Sequence, residues 1–181
     1  QIQNPKLPDH IVNQFLFSMN ASNINLLAHP HKQLGDGYLQ FKLNNNTTAV
    51  LLVNFTQEVV VLPVETITPI ANKPELILGL MNWRNRIIWV ADLAKILGVE
   101  SQSYPIRQCN IIVANHESET IGLMVPEIKG TVRLNSGTIQ PANNQESNIA
   151  PYLNGCIWRE DELNLVLNIQ AILKSSFLQN S

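Results

Sequence analysis

The segment 79–97 recurs 76 residues later, without a gap, as the segment 155–173. In each copy a glycine opens an apolar run, a short polar stretch follows, and a second apolar run ends at a helix-capping residue, Asp92 or Asn168. Apolar residues at helical spacing come directly after each capping residue. We therefore predict that each copy is a β-hairpin that leads into a short helix, and that the chain uses this unit twice.

The rest of the chain from Tyr38 onwards has the pattern of short strands. Apolar and polar residues alternate there, and turn-forming residues separate the runs. The predicted strands outside the two repeat units are 38–43, 48–53, 58–62, 109–114, 120–125 and 127–134. Short strands at this spacing, with few helices, are typical of small barrels. For a chain of 181 residues we predict an all-β fold of two mutually dependent barrels, each closed around one repeat unit.

Residues 1–37 differ in pattern from the rest of the chain. They show little periodicity, contain three prolines, and include one plausible short helix, 11–19. We predict a partly ordered N-terminal extension at 1–37 and a two-barrel domain at 38–178, with a helix near its C-terminal end. We expect that removal of the extension leaves the barrels folded.

Composition and charge exclude several kinds of partner. The net charge is −2 and the 12 lysines and arginines are scattered singly, so no nucleic acid partner is expected. No apolar run approaches the roughly 20 residues of a membrane span, so no direct membrane insertion is expected. Only 14% of the residues are charged while 45% are hydrophobic, which indicates that a protein partner covers part of the surface.

Signatures of catalysis are missing from the sequence. It contains no glycine-rich nucleotide motif, no nucleophile elbow and no zinc-protease motif, and its four histidines lack neighbours that would complete a metal site. Cys109 and Cys156 lie in apolar, strand-like runs, where buried, reduced thiols of a cytoplasmic protein are expected. We predict a protein that is not an enzyme and that has no cofactor and no metal.

The two repeat units differ at their polar turns. Where the second unit has Glu160, Glu162 and Asn164, the first has Arg84, Arg86 and Ile88, and the bulkier Trp89 aligns with Leu165. An arginine-rich turn, flanked by Trp83 and by a strand that is apolar on both faces, is typical of a protein interface. The alternative is that the other barrel covers both faces of the strand and that the arginines only solvate the turn.

The segment 67–93 resembles the signature of CheW-like chemotaxis coupling proteins, whose pattern is roughly TPxPxxPxxxxGxxNLRGxIxPVxDLR. Residues 57–59 match the QEV of the family, 122–128 resemble its GxxVDEV, and 139–141 resemble its IxPAP. The resemblance extends over 38–173. It implies two intertwined five-stranded SH3-like barrels without catalytic activity.

The resemblance also implies partners and a place in the cell. Proteins of this kind are adaptors that couple chemoreceptors to a CheA-like histidine kinase. They bind the kinase regulatory domain with a barrel face and the helical tip of the receptor in a groove beside the barrel junction. A cytoplasmic location with recruitment to membrane-associated receptor arrays follows from that role.

Carried over motif by motif, the resemblance assigns Arg84 as the key arginine of the turn. It assigns Gly79, Asn82 and Asp92 mainly to the shape of the turn and its helix. With the residues suggested by the difference between the units, the predicted protein-binding set is Phe55, Gln57, Glu58, Asn82, Trp83, Arg84, Arg86, Ile88, Trp89 and Glu127.

Three departures from the family pattern affect this set. Asn85 replaces the turn glycine, which is tolerable because asparagine adopts left-handed conformations more readily than other non-glycine residues. Ala94 replaces the arginine of DLR, and Pro126 replaces the aspartate of VDEV, so two polar contacts of the family are missing. Trp83 and Trp89 resemble variants from cyanobacterial phototaxis and type IV pilus motility.

Two other interpretations remain open at this point. The chain could be the CheW-like regulatory fragment of a larger histidine kinase. From a different class, it could be a small-barrel enzyme that uses the thiol of Cys109 or Cys156.

Overall fold

The computed structural model describes residues 35–101, 107–142 and 148–175. The strands in this part of the chain are β1 Asp36–Asn44, β2 Thr47–Leu52, β3 Thr56–Pro63, β4 Ile77–Trp83, β5 Arg86–Asp92, β6 Gln108–His116, β7 Glu119–Val125, β8 Glu127–Leu134, β9 Leu153–Arg159 and β10 Glu162–Leu167. Two short helices follow the repeated hairpins, α1 Leu93–Ile96 and α2 Ile169–Leu173. Single 3-10 turns lie at Val53–Phe55, Val64–Thr66, Ser136–Thr138 and Ala150–Tyr152. The helix predicted at 11–19 lies outside the described residues, and β1 begins two residues before the predicted start of the barrels.

The ten strands form two five-stranded sheets. The first has the order β8-β1-β2-β10-β9, and the second has the order β3-β6-β7-β5-β4. Bridges outside the named strands, between Gln140 and Cys156 in the first and between Thr68 and Leu80 in the second, tie the edge strands to the segments that close each barrel. We call these the first and second barrels. Each contains one of the two repeated hairpins, so the predicted all-β fold with one repeat unit per barrel is confirmed.

The two barrels share one pattern of strand pairing. In the first, β10 runs parallel to β2 with Val166 opposite Val50; in the second, β5 runs parallel to β7 with Val90 opposite Gly122. In each barrel the strand pairing skips one residue, which lies in β8 of the first barrel and in β3 of the second. These two β-bulges lie at equivalent positions. The repeat therefore extends over each whole half of the chain and not only over the segments that sequence comparison detects.

The two halves of the chain, β1–β5 and β6–β10, each contribute strands to both barrels. Strand β3 follows β2 of the first barrel but pairs with β6 of the second. Strand β8 follows β7 of the second barrel but pairs with β1 of the first. The second barrel is therefore formed by the continuous run β3–β7, and the first by β1 and β2 together with β8–β10, so each barrel combines two strands of one half with three of the other.

Two glycines allow the barrels to close. A Cβ atom on Gly79 would lie 2.1 Å from the carbonyl oxygen of Thr68, and one on Gly155 would lie 2.3 Å from that of Gln140. The two glycines have φ values of 145° and 152°, which side-chain-bearing residues rarely adopt. Only glycine fits at the start of each repeat unit, because the backbone of the closing bridge passes too close to leave room for a side chain.

The core has a shared part and a part inside each barrel. The shared cluster contains residues of both sheets and both helices, whereas the interiors of the first and second barrels are separate clusters. Both predicted caps are present: the Asp92 carboxylate accepts a hydrogen bond from the Lys95 N–H at 3.2 Å, and the Asn168 side chain accepts one from the Ala171 N–H at 3.0 Å. The helices begin where the sequence predicted them to begin.

Both cysteines are free and buried, as predicted. Cys109 lies in the interior of the second barrel and Cys156 in the shared core. Burial raises the pKa of each thiol, so neither is activated as a thiolate nucleophile. This environment disfavours the thiol-enzyme interpretation.

Candidate functional site

The predicted binding residues gather mainly at one end of the second barrel. Strands β5 and β7 are parallel, so both start at this end, directly after the turns 84–85 and 117–118. Strand β3 starts at the same end, because Thr56 pairs with Ala114 near the end of β6. We call this the turn end of the second barrel. The corresponding turn end of the first barrel contains the turns 45–46 and 160–161.

Glu58, Trp83 and Arg84 form a compact cluster at the turn end of the second barrel. The indole Nε1 of Trp83 donates a hydrogen bond to Glu58 Oε2 at 2.8 Å, and Arg84 Nη2 lies 3.2 Å from the same oxygen. The guanidinium carbon of Arg84 lies 4.8 Å from the centre of the Trp83 ring, within cation–π range. We call this the Arg84 cluster. Trp83 is 9% exposed, whereas the Arg84 side chain is 62% exposed, so a buried base presents an arginine to solvent.

The hairpin turn fixes the backbone of this arginine. Arg84 has φ 48° and Asn85 has φ 61°, as expected for a two-residue turn with both central residues left-handed. The left-handed conformation of Asn85 agrees with its place in the family's glycine position. A left-handed non-glycine residue costs on the order of 1 kcal/mol. The contacts of Arg84 with Glu58 and Trp83 offset part of this cost and restrict its side chain.

An apolar strip lies next to the cluster on the outer face of β3. Val59 is 36% exposed and Val61 is 61% exposed, and Val64 continues the strip past the end of the strand. The equivalent outward positions on β8 are Thr131 and Arg133. This strip was not predicted from the sequence, although both faces of 58–62 contain apolar residues and one of those faces must point outwards.

The structure places the other predicted residues in different surroundings. Gln57 is an exposed bulge residue of β3, and the Phe55 ring lies 5.5 Å from the His116 ring at the same turn end. Asn82 and Arg86 are exposed on the hairpin. These residues are brought together with the Arg84 cluster.

Ile88, Trp89 and Glu127 do not fit the predicted surface in the same way. Ile88 is 4% exposed and lies in the interior of the second barrel, so it is a core residue, and its exposed neighbour on β5 is Ile87 at 66%. Trp89 is half-buried against the shared core, with the ammonium of Lys73 5.2 Å from its ring centre. Glu127 begins β8 in the first barrel, opposite Lys42, and so lies in a different sheet.

The turn end of the first barrel is closed by a polar network instead. Glu162 accepts hydrogen bonds from Lys42 and Thr48, and Lys129 Nζ lies 3.2 Å from its other oxygen. Beside it, Gln40 Nε2 donates to Asn164 Oδ1 at 2.7 Å. Burial raises the pKa of Glu162, but the hydrogen bonds from Lys42, Thr48 and Lys129 outweigh burial and lower that pKa to about 2.

The geometry favours protein recognition over chemistry. Within the described ranges, no three His, Cys, Asp or Glu side chains are grouped so that they could hold a metal ion. An exposed arginine held against a tryptophan ring matches the composition of protein interfaces, in which arginine and aromatic residues are enriched, and the exposed valines add apolar area. No helix of the described segments is long and apolar enough to cross a membrane.

Comparisons with known proteins agree with this fold. Residues 37–177 match the family model described as the CheW-like domain. The chain is similar to the chemotaxis protein CheW of Thermotoga maritima, with 28% identity over 108 residues that cover 60% of this chain and 70% of that protein. It is also similar to CheW of Klebsiella aerogenes, with 24% identity over 143 residues that cover 78% of this chain and 84% of that protein.

A solved structure shows the same fold. The scaffolding protein TtCheW of Thermoanaerobacter tengcongensis superposes with a TM-score of 0.69 at 21% identity, over 80% of this chain and 96% of that chain. The family match covers most of the present chain. The chain therefore belongs to the CheW-like domain family, whose members are non-catalytic scaffolds that couple receptors to a CheA kinase in chemotaxis.

Proposed function

We propose that this adaptor binds its partners through the turn end of the second barrel and the outer face of β3. The partners are the regulatory domain of a CheA-like histidine kinase and the helical tip of a chemoreceptor, and binding recruits the protein to receptor arrays. The observation that supports this most directly is the Arg84 cluster, in which Glu58 and Trp83 hold an exposed arginine in one position.

The cluster suits this task energetically. A free arginine side chain loses up to about 2 kcal/mol of rotamer freedom when a partner immobilises it. Because Glu58 and the Trp83 ring already restrict Arg84, much of that cost is met in the unbound protein. The apolar strip of Val59 and Val61 supplies area whose burial strengthens binding without further ordering of long side chains.

The alternative of a kinase fragment is not favoured. The similar proteins of Thermotoga maritima and Klebsiella aerogenes are CheW proteins and not kinases. The phototaxis and pilus variant rests on Trp83 and Trp89 alone, and it stays a prediction.

Charge reversal at the cluster tests the proposal. Arg84→Glu should weaken binding to receptor or kinase by about 2 kcal/mol or more, roughly 30-fold, because an interface arginine can contribute that much. Stability should fall by no more than about 1 kcal/mol, because the ion pair with Glu58 that is lost is largely exposed to solvent. The measurement is a calorimetric titration against each purified partner in turn, with circular dichroism to confirm folding.

The matched control is Glu160→Arg, which reverses the charge at the equivalent turn position of the first barrel. It should leave the affinity for both partners unchanged. Wild-type affinity of the Arg84→Glu variant for both partners would refute this placement of the site.

A further inference from the structure

The apolar strip on β3 is exposed, although the equivalent surface of the first barrel is polar. Val61 is 61% exposed, and the outward residues at the equivalent positions of β8 are Thr131 and Arg133. Among the described residues, most of the exposed large apolar side chains lie in the one stretch 53–64. Because burial of apolar surface is favourable, a second element that covers this stretch is expected.

The chain enters the first barrel beside the start of this stretch. Arg133 Nη1 donates a hydrogen bond to the carbonyl oxygen of Gly35 at 2.9 Å. The Gly37 position faces Val53, because a Cβ atom there would lie 3.7 Å from a methyl carbon of that valine. Val53 begins the turn that leads into β3. The preceding segment 1–34 is therefore tethered close to the strand that contains the apolar strip.

The segment 1–34 contains an apolar pattern that fits the strip. Four large apolar residues have the i, i+3, i+4 and i+7 spacing of one helix face: Val12, Phe15, Leu16 and Met19. On a helix they form a stripe about 10 Å long, which fits within the roughly 16 Å of strand from Val59 to Val64. The segment has two lysines and one aspartate, whereas the carboxylates of Glu58 and Glu65 flank the strip, so the charges are complementary as well.

The tether allows this contact within one molecule. Residues 20–34 span up to about 50 Å when extended, and the chain from Val53 to Val61 spans at most about 27 Å. A tether of this length holds the attached segment at an effective concentration on the order of 1 mM. Docking on the same chain is therefore favoured over docking on a second copy at micromolar protein concentration.

We infer that the segment 11–19 docks as a helix on the apolar strip of its own chain, and that a partner of β3 must displace it. A helix this short is marginal by itself in water, so its helical structure depends on the contact with the strip. The displacement rests on the proposed function, because it requires a partner that binds the outer face of β3. The docking itself does not.

Hydrogen exchange of the full chain, followed by mass spectrometry, tests the docking. In wild type the amides of 11–19 should exchange about tenfold more slowly than in an unstructured peptide of the same sequence, at every protein concentration. Val59→Asp places a charge in the strip and should bring their exchange to within about twofold of the peptide rate. The matched control is Thr131→Asp, the same change at the equivalent outward position of β8, which should keep wild-type protection.

Three outcomes would overturn the docking. The first is exchange of the 11–19 amides at the peptide rate in wild type. The second is protection that survives Val59→Asp while circular dichroism shows that the variant is folded. The third is protection that rises with protein concentration, which would assign the contact to a second copy.

Partner affinity tests the displacement. Phe15→Asp should release the segment and strengthen the binding of at least one of the two partners about fivefold or more, because the strip is then free in every molecule. Gln14→Asp adds the same charge on the opposite helical face and should bind as wild type does. Calorimetric titration of the full-length variants measures both.

Failure of the displacement and failure of the partner site are distinguishable. Unchanged affinity of Phe15→Asp for both partners would refute the displacement. Wild-type affinity of Arg84→Glu would refute the partner site, while hydrogen exchange reports the docking without any partner.

Discussion

The turn ends of the two barrels have the same backbone and opposite chemistry. In the first barrel Arg159, Glu162 and Asn164 occupy the places that Trp83, Arg86 and Ile88 occupy in the second. The first barrel directs its carboxylate inwards, onto Lys42, Thr48 and Lys129, and closes itself with ion pairs. The second closes with a tryptophan and an isoleucine, which leaves its arginines exposed. An apolar closure thus leaves charged residues exposed, whereas a polar closure engages them in ion pairs.

The largest expected effect comes from placing the polar residue of the first barrel, Asn164, at the equivalent apolar position of the second. Ile88→Asn should lower the free energy of unfolding by about 3 kcal/mol or more, because the buried amide has no partner there. In the first barrel Gln40 supplies that partner, and its counterpart in the second is Val113. Urea unfolding should show that adding Val113→Gln restores part of the lost stability. If Ile88→Asn alone is as stable as wild type, the two turn ends do not differ in the polarity of their interiors.

The second test removes the carboxylate of the polar end. Glu162→Gln should lower stability by about 2 kcal/mol, because Lys42 and Lys129 lose their counter-charge in a half-buried place. Urea unfolding at neutral pH measures this loss. The control is Glu160→Gln, two residues earlier in the exposed turn, which should change stability by no more than about 0.5 kcal/mol.

The same carboxylate predicts a pH dependence. Because the folded-state pKa of Glu162 is lowered from 4.5 to about 2, its contribution to stability is present above pH 4.5 and is lost as the pH falls from 4.5 towards 2. The Glu162→Gln variant should lack this component, so the difference in stability between it and wild type should shrink over that range. A difference that stays constant from pH 5 to about 2.5 would contradict the lowered pKa.

A smaller effect is expected at the base of the Arg84 cluster. Trp83→Phe keeps an aromatic ring but removes the N–H that Glu58 accepts, so stability should fall by about 1.5 kcal/mol. Partner affinity should fall as well, because Glu58 and Arg84 lose their fixed position. Trp158→Phe changes an exposed tryptophan of the first barrel and should leave both quantities close to wild type.

The smallest test concerns what the two units share. Asp92→Ala and Asn168→Ala each remove one helix cap and should each cost about 1 kcal/mol in chemical unfolding. Similar costs would support equivalent units, whereas a much larger cost at Asp92 would point to its second hydrogen bond, from Ser101 at 3.0 Å.

The local parts of the fold were predictable from sequence, and the pairing between distant strands was not. The hairpin-helix units and their caps depend on residues a few positions apart, so Asp92 and Asn168 mark both helix starts. The strands that precede the two repeated hairpins are equivalent in their hydrogen-bond register, and this register does not depend on side-chain identity. For example, Val50 of β2 corresponds to Gly122 of β7. Sequence comparison therefore detects only the last part of each repeat.

The candidate site was predicted in part for a similar reason. Glu58, Trp83 and Arg84 stand out by residue type, and the structure brings them together. Periodicity alone cannot say which face of a strand is inward when both faces are apolar. That ambiguity placed the buried Ile88 on the surface and left the exposed Val61 unnoticed.

The direct connection from β2 to β3 has a mechanical consequence. Strand β2 is the central strand of the first barrel, and only the turn Val53–Phe55 separates it from β3, an edge of the second. A protein held against the outer face of β3 would therefore pull on one continuous stretch of backbone, 47–63, that is anchored in the middle of the other barrel. Tension applied at one barrel edge reaches the centre of the neighbouring barrel through covalent bonds, without any rearrangement of the shared core.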